Sequence, residues 1–197
     1  MSSFFTSDLH FFHKNILTFM PERGRVYKNV YDMNEKIIEK WNSQVKSPET
    51  RVYVLGDVSF GDEFETKKVM AELNGQIYLV EGNHDFEESN KYHRPGFCYK
   101  NLEMDLPNFK VLPRVSSCRV HGHRAILCHF PFMDGEADHN PNPGKKPTLM
   151  LHGHLHQSRG FRTGKYMLDV GWDYKHGLIS EREIALELGL IKSKQDS

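Results

Sequence analysis

The chain has 197 residues, enough to form one domain with a substantial buried core. Lysine plus arginine and aspartate plus glutamate both number 26, which excludes the global positive charge typical of proteins that bind long polyanions. No apolar run approaches the roughly 20 residues that span a bilayer, and the first residues lack the charged and apolar regions of a signal peptide. We therefore expect a cytoplasmic protein with no membrane partner.

Hydrophobic patterns in the first 85 residues predict strands that alternate with helices. Because consecutive strands are joined through helices, this order predicts a partly parallel sheet. The predicted elements, in chain order, are a strand at 3–7, a short helix within 11–20, a loop at 21–28, a helix at 32–45, a strand at 52–55, a helix at 62–73 and a strand at 76–81.

The second half is predicted to be rich in β-structure, as part of the same domain spanning residues 1–197. Ser180 and Glu183 form a capping-box pattern that predicts the start of the last helix, which Gly189 closes. The other expected elements are a short helix and loops within 86–108, a strand at 109–112, a hairpin within 115–128, a loop at 131–147, strands at 148–151 and 166–170, and a frayed tail at 192–197.

Twelve histidines are present, whereas the three cysteines show no CxxC spacing, which argues against a disulfide framework or a thiolate zinc site. Carboxylate and imidazole groups suit a hard-to-borderline divalent metal. They concentrate in five clusters, each after a strand-like run, where α/β sheets usually place ligands. The clusters are Asp8-Leu9-His10, Gly56-Asp57, Gly82-Asn83-His84-Asp85, Cys128-His129 and Gly153-His154-Leu155-His156.

The clusters supply seven candidate oxygen and nitrogen ligands, which exceed the needs of one ion. They are Asp8, His10, Asp57, Asn83, His129, His154 and His156. They suit two ions that share a bridging ligand, and Asp57 is the natural bridge because a carboxylate has two oxygens. Two ions roughly 3.5–4 Å apart could activate a water molecule and clamp a phosphoryl group. We expect Mn²⁺, with Fe, Ni or Zn also compatible with this ligand set.

The five clusters, in this order, resemble those of the calcineurin-like metallophosphoesterase superfamily, and the resemblance covers nearly the whole chain. It implies an α/β fold of two packed mixed β-sheets flanked by helices, a four-layer sandwich. It also implies how the ligands divide between two ions. The first ion would be held by Asp8, His10, Asp57 and His156, and the second by Asp57, Asn83, His129 and His154.

The resemblance also implies roles for residues that do not bind metal. His84 would donate a proton to the leaving oxygen or stabilise the transition state, and Asp85 would orient the His84 ring. His13 and Asn15 resemble residues of the shorter bacterial and phage members, and we expect them to line the substrate pocket. His152 could face either the site or the interior of a sheet.

These observations favour a metal-dependent phosphoesterase that hydrolyses a phosphodiester or phosphomonoester of a small molecule or nucleotide. Protein Ser/Thr phosphatases of the superfamily carry an arginine shortly after the Gly-Asp cluster, and this chain has Val58-Ser59-Phe60-Gly61 instead. The second interpretation is a nuclease for RNA or DNA, with a basic rim formed by Arg23, Arg25, Lys28, Lys145, Lys146, Arg159, Arg162 and Lys165. The third is a non-catalytic scaffold of the same fold, and the presence of His84 and of the candidate metal ligands argues against it.

Overall fold

Ten strands form two mixed sheets of five strands each in a computed structural model, which describes residues 3–85, 99–132, 146–158 and 160–192. Predictions for residues 86–98, 133–145 and 193–197 lie outside the described residues. The strands are β1 (Ser3–Thr6), β2 (Arg51–Val54), β3 (Gln76–Val80), β4 (Phe109–Leu112), β5 (Val115–Val120), β6 (His123–Cys128), β7 (Leu149–His152), β8 (Arg162–Gly164), β9 (Met167–Asp169) and β10 (Ile179–Ser180).

The first sheet has the order β10-β1-β2-β3-β4, and the second has the order β5-β6-β7-β9-β8. Strands β1 to β4 are parallel, and so are β6, β7 and β9, whereas β10, β5 and β8 pair antiparallel with their neighbours. Because parallel strands end on the same edge, each sheet presents several carboxyl-terminal loops together. Ser7 and Gly171 form a bridge where β1 and β9 end, which brings these edges of the two sheets together.

The three helices that begin at Val30, Glu63 and Glu181 match predicted helices, and side-chain caps satisfy their first backbone amides. The side chain of Asn29 accepts hydrogen bonds from the amides of Tyr31 and Asp32, and capping boxes begin at Asp62 and Ser180. The helices are α1 (Ile16–Phe19), α2 (Pro21–Val26), α3 (Val30–Gln44), α4 (Glu63–Glu72), α5 (Tyr99–Asp105) and α6 (Glu181–Glu187), with a 3₁₀-helix at Trp172–Tyr174. None of the described helices is long and apolar enough to cross a membrane.

Two apolar clusters account for most of the core. Trp41 of α3 packs with Val52 and Ile77 of the first sheet in one cluster. Phe5 of the first sheet packs with Leu151 of the second in the other, which lies between the sheets. Burial of these large side chains contributes about 25 cal/mol per Å² of apolar surface, and it holds the loops at the strand ends in register.

One predicted element is wrong, since residues 21–28 do not form a loop. Pro21 occupies the first position of α2, where its fixed φ suits a helix and its missing N–H costs nothing. The helix buries Arg23, which is fully inaccessible to solvent. The prediction that Arg23 forms part of an exposed basic rim is therefore also wrong.

Candidate metal centre

The loops that follow β1, β2, β3, β6 and β7 bring the five predicted clusters together at one edge of the two sheets. Hydrogen bonds between the loops hold them there. The amide of Asp8 donates to the carbonyl of Gly56 at 3.0 Å, and the amide of His10 donates to the carbonyl of Asp57 at 3.1 Å. The amide of Gly153 donates to the carbonyl of His129 at 3.0 Å. Backbone contacts alone thus join the first cluster to the second and the fourth to the fifth.

Left-handed backbone conformations are concentrated in these loops. Eight non-glycine residues in the described ranges have a positive φ, and five of them are predicted ligands. Such conformations cost roughly 1–3 kcal/mol each and persist where the surrounding structure enforces them, often at functional sites. The five are Asp8 (56°), His10 (54°), Asp57 (55°), His154 (71°) and His156 (51°).

Two glycines permit the close approach of these loops. A Cβ atom at Gly153 would lie 1.8 Å from Oγ of Ser7 and 2.6 Å from Oδ2 of Asp8. A Cβ atom at Gly56 would lie 2.5 Å from Cα of Gly82, and Gly56 also has a φ of 89°. A side chain at either position would push candidate ligands apart.

Asp8 and Asp57 each use one carboxylate oxygen for a backbone amide and turn the other toward histidine rings. Oδ2 of Asp8 accepts a hydrogen bond from the amide of His154 at 3.0 Å, and Oδ1 of Asp57 accepts one from the amide of His84 at 3.0 Å. Both carboxylates are thereby fixed in orientation. The remaining oxygens, Oδ1 of Asp8 and Oδ2 of Asp57, are available for a cation.

Three imidazoles direct Nε2 at these two oxygens. His156 Nε2 lies 3.6 Å from Oδ1 of Asp8, and His129 Nε2 lies 3.6 Å from Oδ2 of Asp57. His10 lies between them, with Nε2 4.0 Å from Oδ1 of Asp8 and 3.8 Å from Oδ2 of Asp57. Two groups of candidate ligands result, one of Asp8, His10 and His156 and the other of Asp8, Asp57 and His129.

The opposite ring nitrogen, Nδ1, is held by a protein partner in each of these histidines. His129 Nδ1 lies 2.7 Å from the carbonyl of Leu55, and His156 Nδ1 lies 2.7 Å from Oδ2 of Asp173. Because a carbonyl or carboxylate oxygen can only accept, both Nδ1 atoms carry the proton. In the neutral ring, Nε2 then presents a lone pair to the site, as metal-binding histidines do.

The donor set fits a divalent cation. Oδ1 of Asp8 and Nε2 of His10 are buried without a hydrogen-bond partner, which is costly unless another group satisfies them. Nε2 of His129 lies 2.9 Å from Oδ1 of Asn83. Because the proton of a neutral His129 ring is on Nδ1, the lone pair of Nε2 then faces a lone pair of the Asn83 oxygen. Burial, and then the negative charge of Asp8, raises the pKa of Asp57 to about 7. A cation would relieve all three conflicts.

His154, the remaining predicted ligand, lies at the outer side of this group. Its ring centroid is 5.2 Å from that of His129 and 4.9 Å from that of Phe130, and its side chain is exposed. The structure therefore brings all seven predicted ligands to one place. The backbone amide of His154 also donates to Oδ2 of Asp8 at 3.0 Å.

His84 and Asp85, the predicted catalytic pair, have different surroundings. The His84 side chain is 46% exposed, and its Nε2 lies 4.0 Å from Oδ2 of Asp57 at the mouth of the site. Asp85 is buried and accepts hydrogen bonds from the amides of Asp57, Val58 and Gly82 at 2.6, 3.0 and 2.8 Å. These contacts join the second and third clusters. Asp85 therefore holds the backbone of these two loops, whereas it was expected to orient the His84 ring.

His13 contacts the site through a predicted ligand, since its Nδ1 lies 2.9 Å from Nδ1 of His10. The His13 ring also stacks on Phe60 with centroids 4.0 Å apart, and Phe60 in turn lies 4.9 Å from His84. The side chain of Asn15, the other predicted pocket residue, is exposed just before α1 and does not cap that helix.

His152 faces the interior of the second sheet, which resolves the alternative that the sequence left open. Its Nε2 lies 2.7 Å from Oγ1 of Thr163, and its Nδ1 lies 2.9 Å from the carbonyl of Gly153. Both ring nitrogens thus have partners outside the group of ligands. His152 is fully buried and separate from the candidate metal centre.

Arg23, Asp169 and Asp173 also support the site, although Arg23 was expected on a basic rim and no role was predicted for the two aspartates. Arg23 and Asp173 form a buried ion pair, and Asp173 contacts His156. Asp169 accepts a hydrogen bond from the amide of Gly171 at 2.8 Å, and burial followed by the charge of Asp8 raises its pKa to about 7. The sequence feature that could have identified Asp169 as a residue of the site was its position at the end of the predicted strand 166–170.

Comparisons with known proteins agree with this geometry. MJ1445, an uncharacterized protein of Methanocaldococcus jannaschii, is 31% identical over 133 residues, which are 65% of this chain and 73% of the relative. The gene 66 protein of Mycobacterium phage L5 is 25% identical over 206 residues, covering 93% of this chain and 92% of the phage protein.

A solved structure extends the similarity to the fold. The crystal structure of the Aquifex aeolicus protein AQ665 matches this chain with a TM-score of 0.66 and 25% identity, over 96% of this chain and 99% of that one. The sequence profile of the calcineurin-like phosphoesterases matches residues 1–174, which include every candidate ligand. The chain therefore belongs to the calcineurin-like phosphoesterase family of metal-dependent phosphoester hydrolases.

Proposed function

We propose that the protein is a two-metal phosphodiesterase that acts on small phosphorylated substrates such as nucleotides. One observation carries the proposal: Oδ2 of Asp57 lies 3.8 Å from Nε2 of His10, which would bind the first ion, and 3.6 Å from Nε2 of His129, which would bind the second. An oxygen surrounded in this way suits a bridge between two cations. When bound, divalent ions such as Mn²⁺, Fe, Ni or Zn would supply the Lewis acidity that activates water and neutralises phosphoryl charge.

The side chains around that centre would have two kinds of role, binding of the metal ions and interaction with the substrate. Asp8, His10, Asp57 and His156 would hold the first ion, and Asp57, Asn83, His129 and His154 the second. Burial lowers the pKa of His84, which favours the neutral ring. The neutral ring can donate one N–H hydrogen bond to the developing charge on the substrate, and the protonated ring would donate its proton to a poor leaving group and become neutral.

Several observations support a small substrate over long nucleic acid. Arg23 of the expected basic rim is buried, and the guanidinium of Arg162 donates to the carbonyls of Gly164, Lys165 and Glu187. Arg25 pairs with Glu22. Three arginines of the expected rim therefore already have protein partners, which leaves fewer of its charges for phosphates along a chain, and Lys145 and Arg159 lie outside the described residues.

The test is a panel of substrates assayed with Mn²⁺ at two salt concentrations. It compares bis-p-nitrophenyl phosphate, p-nitrophenyl phosphate, a 2′,3′-cyclic nucleotide, a phosphopeptide and a long duplex. We expect the highest kcat/KM for the small diesters and a shallow dependence on salt. Preference for the phosphopeptide, or efficient cleavage of the duplex with a steep salt dependence, would contradict the proposal.

A further inference from the structure

Arg23 is a fully buried arginine beneath the candidate metal centre, and it binds Asp173 through two nitrogens on one edge of its guanidinium. Nε of Arg23 lies 2.5 Å from Oδ1 of Asp173, and Nη2 lies 3.0 Å from Oδ2. Neither side chain is accessible to solvent. This bidentate geometry fixes the carboxylate plane of Asp173 more firmly than a single contact would.

The same guanidinium holds the loop that carries the first cluster. Nη1 of Arg23 donates to the carbonyl of Leu9 at 3.0 Å, and Nη2 donates to the carbonyl of Asp8. Asp8 and His10 have positive φ values, so their backbone does not keep this conformation by preference. Two charge-assisted hydrogen bonds from one rigid group stabilise it.

Asp173 connects Arg23 to a third candidate ligand, His156. Oδ2 of Asp173 accepts the hydrogen bond from Nδ1 of His156 at 2.7 Å, which sets the tautomer and rotation of that ring. His156 also has a positive φ. One guanidinium is therefore bonded to the carbonyls of Asp8 and of Leu9, the residue before His10, and is connected through one carboxylate to His156.

The other half of the site has a separate support. Asp85 accepts hydrogen bonds from the amides of Asp57, Val58 and Gly82, the last of which precedes Asn83. The ring of His129 is held by the carbonyl of Leu55. The described hydrogen bonds of the Arg23 guanidinium reach none of these groups.

We propose that Arg23 and Asp173 are positioning residues for the first metal ion, whereas Asp85 supports Asp57, which both ions would share, and the loop that carries Asn83, a ligand of the second ion. The proposal rests on the two-ion site proposed above. It assigns the two halves of the centre to different structural supports. Loss of the Arg23–Asp173 pair should therefore remove one ion selectively, whereas a merely structural role would lower stability and affect both ions alike.

The experiment titrates metal-free protein with Mn²⁺ by isothermal calorimetry. The test variant combines Arg23→Gln with Asp173→Asn, because a neutral pair leaves no unpaired buried charge, which would itself destabilise the fold. Arg25→Gln is the matched control, since Arg25 lies on the same helix with its side chain 74% exposed. Circular dichroism checks that each variant is folded.

We expect two ions in the wild-type protein and in the control. The double variant should bind one ion with wild-type affinity and the other about 10–100-fold more weakly. Two ions at wild-type affinity, or equal weakening of both, would overturn the inference. Fewer than two ions in the wild-type protein would instead count against the proposed two-metal function, so the two failures are distinguishable.

A second variant covers the case in which the double variant does not fold. Arg23→Lys keeps the positive charge beside Asp173 but cannot make the bidentate contact or reach both carbonyls. The same selective weakening of one ion is expected. Unchanged binding of both ions by a folded Arg23→Lys protein would overturn the inference.

Discussion

Nδ1 of His10 and Nδ1 of His13 lie 2.9 Å apart, and the two rings stack with an interplanar angle of 23°. A proton must lie between two nitrogens at this distance, so one ring donates and the other accepts. If His10 gives its Nε2 lone pair to a metal, its Nδ1–H donates to His13. His13 then keeps its own proton on Nε2.

This contact predicts that His13 tunes metal binding. In His13→Ala, the ring of His10 loses its partner, and the affinity for one Mn²⁺ ion should fall about 10–100-fold. Calorimetric titration measures the loss, with Lys14→Ala as an exposed neighbouring control. Unchanged affinity together with a raised KM would indicate instead that His13 contacts substrate only.

The Asp57→Asn variant tests the bridge. An amide retains the shape of the side chain but removes the negative charge that both ions would share, so metal content and turnover should both fall for every substrate. Mass spectrometry of the metals and assays on both nitrophenyl substrates measure these losses. An Asp57→Asn protein that keeps two tightly bound ions and normal turnover would rule out a bridging role.

Much of this site could be predicted because its residue types are adjacent in sequence. Asp8 and His10, or His154 and His156, are two residues apart directly after strand-like runs, and the parallel pairing of β1, β2 and β3 brings their ends together. The strands at 52–55 and 76–81 were recognisable from their apolar residues. Their pairing then determined where the clusters would meet.

The supports of the site could not be predicted in the same way. Arg23 and Asp173 are 150 residues apart, and each looks like an ordinary surface charge in its local sequence. Strands β8 and β10 have only three and two residues, too few to show an alternating pattern. These features depend on tertiary contacts, which a local sequence pattern does not contain.

The His84→Ala variant should separate binding from chemistry. Metals should stay bound, because the exposed ring is not among the candidate ligands, whereas turnover should fall by about 10²–10⁴-fold for substrates with poor leaving groups. The loss should be smaller for p-nitrophenyl esters, whose leaving group hardly needs a proton. Equal losses for all leaving groups would assign His84 to charge stabilisation or substrate positioning alone.

The raised pKa of Asp57 predicts how pH and metal affect stability. The unfolded carboxyl loses its proton near its ordinary pKa of 3.8, and the folded metal-free protein keeps it until about pH 7. The unfolded state binds fewer protons in this window, so the metal-free protein should lose stability as pH rises from about 4 to 7. Mn²⁺ should therefore raise Tm more at pH 8 than at pH 5.

Thermal denaturation in EDTA and in Mn²⁺ measures this effect. The Asp57→Asn variant is its control, because a neutral amide has nothing to ionise. Without metal at pH 8, that variant should be more thermostable than the wild-type protein. A metal-free wild-type protein that becomes more stable between pH 4 and 7, relative to Asp57→Asn, would contradict the assignment.

Metal-dependent turnover as a function of bound metal tests the two-metal account most directly. Metal-free protein is titrated with Mn²⁺ while hydrolysis of bis-p-nitrophenyl phosphate and the bound metal are followed together. The account predicts two bound ions per chain and little turnover until the second ion binds. Full activity with one ion per chain, or no hydrolysis with two ions bound, would contradict it.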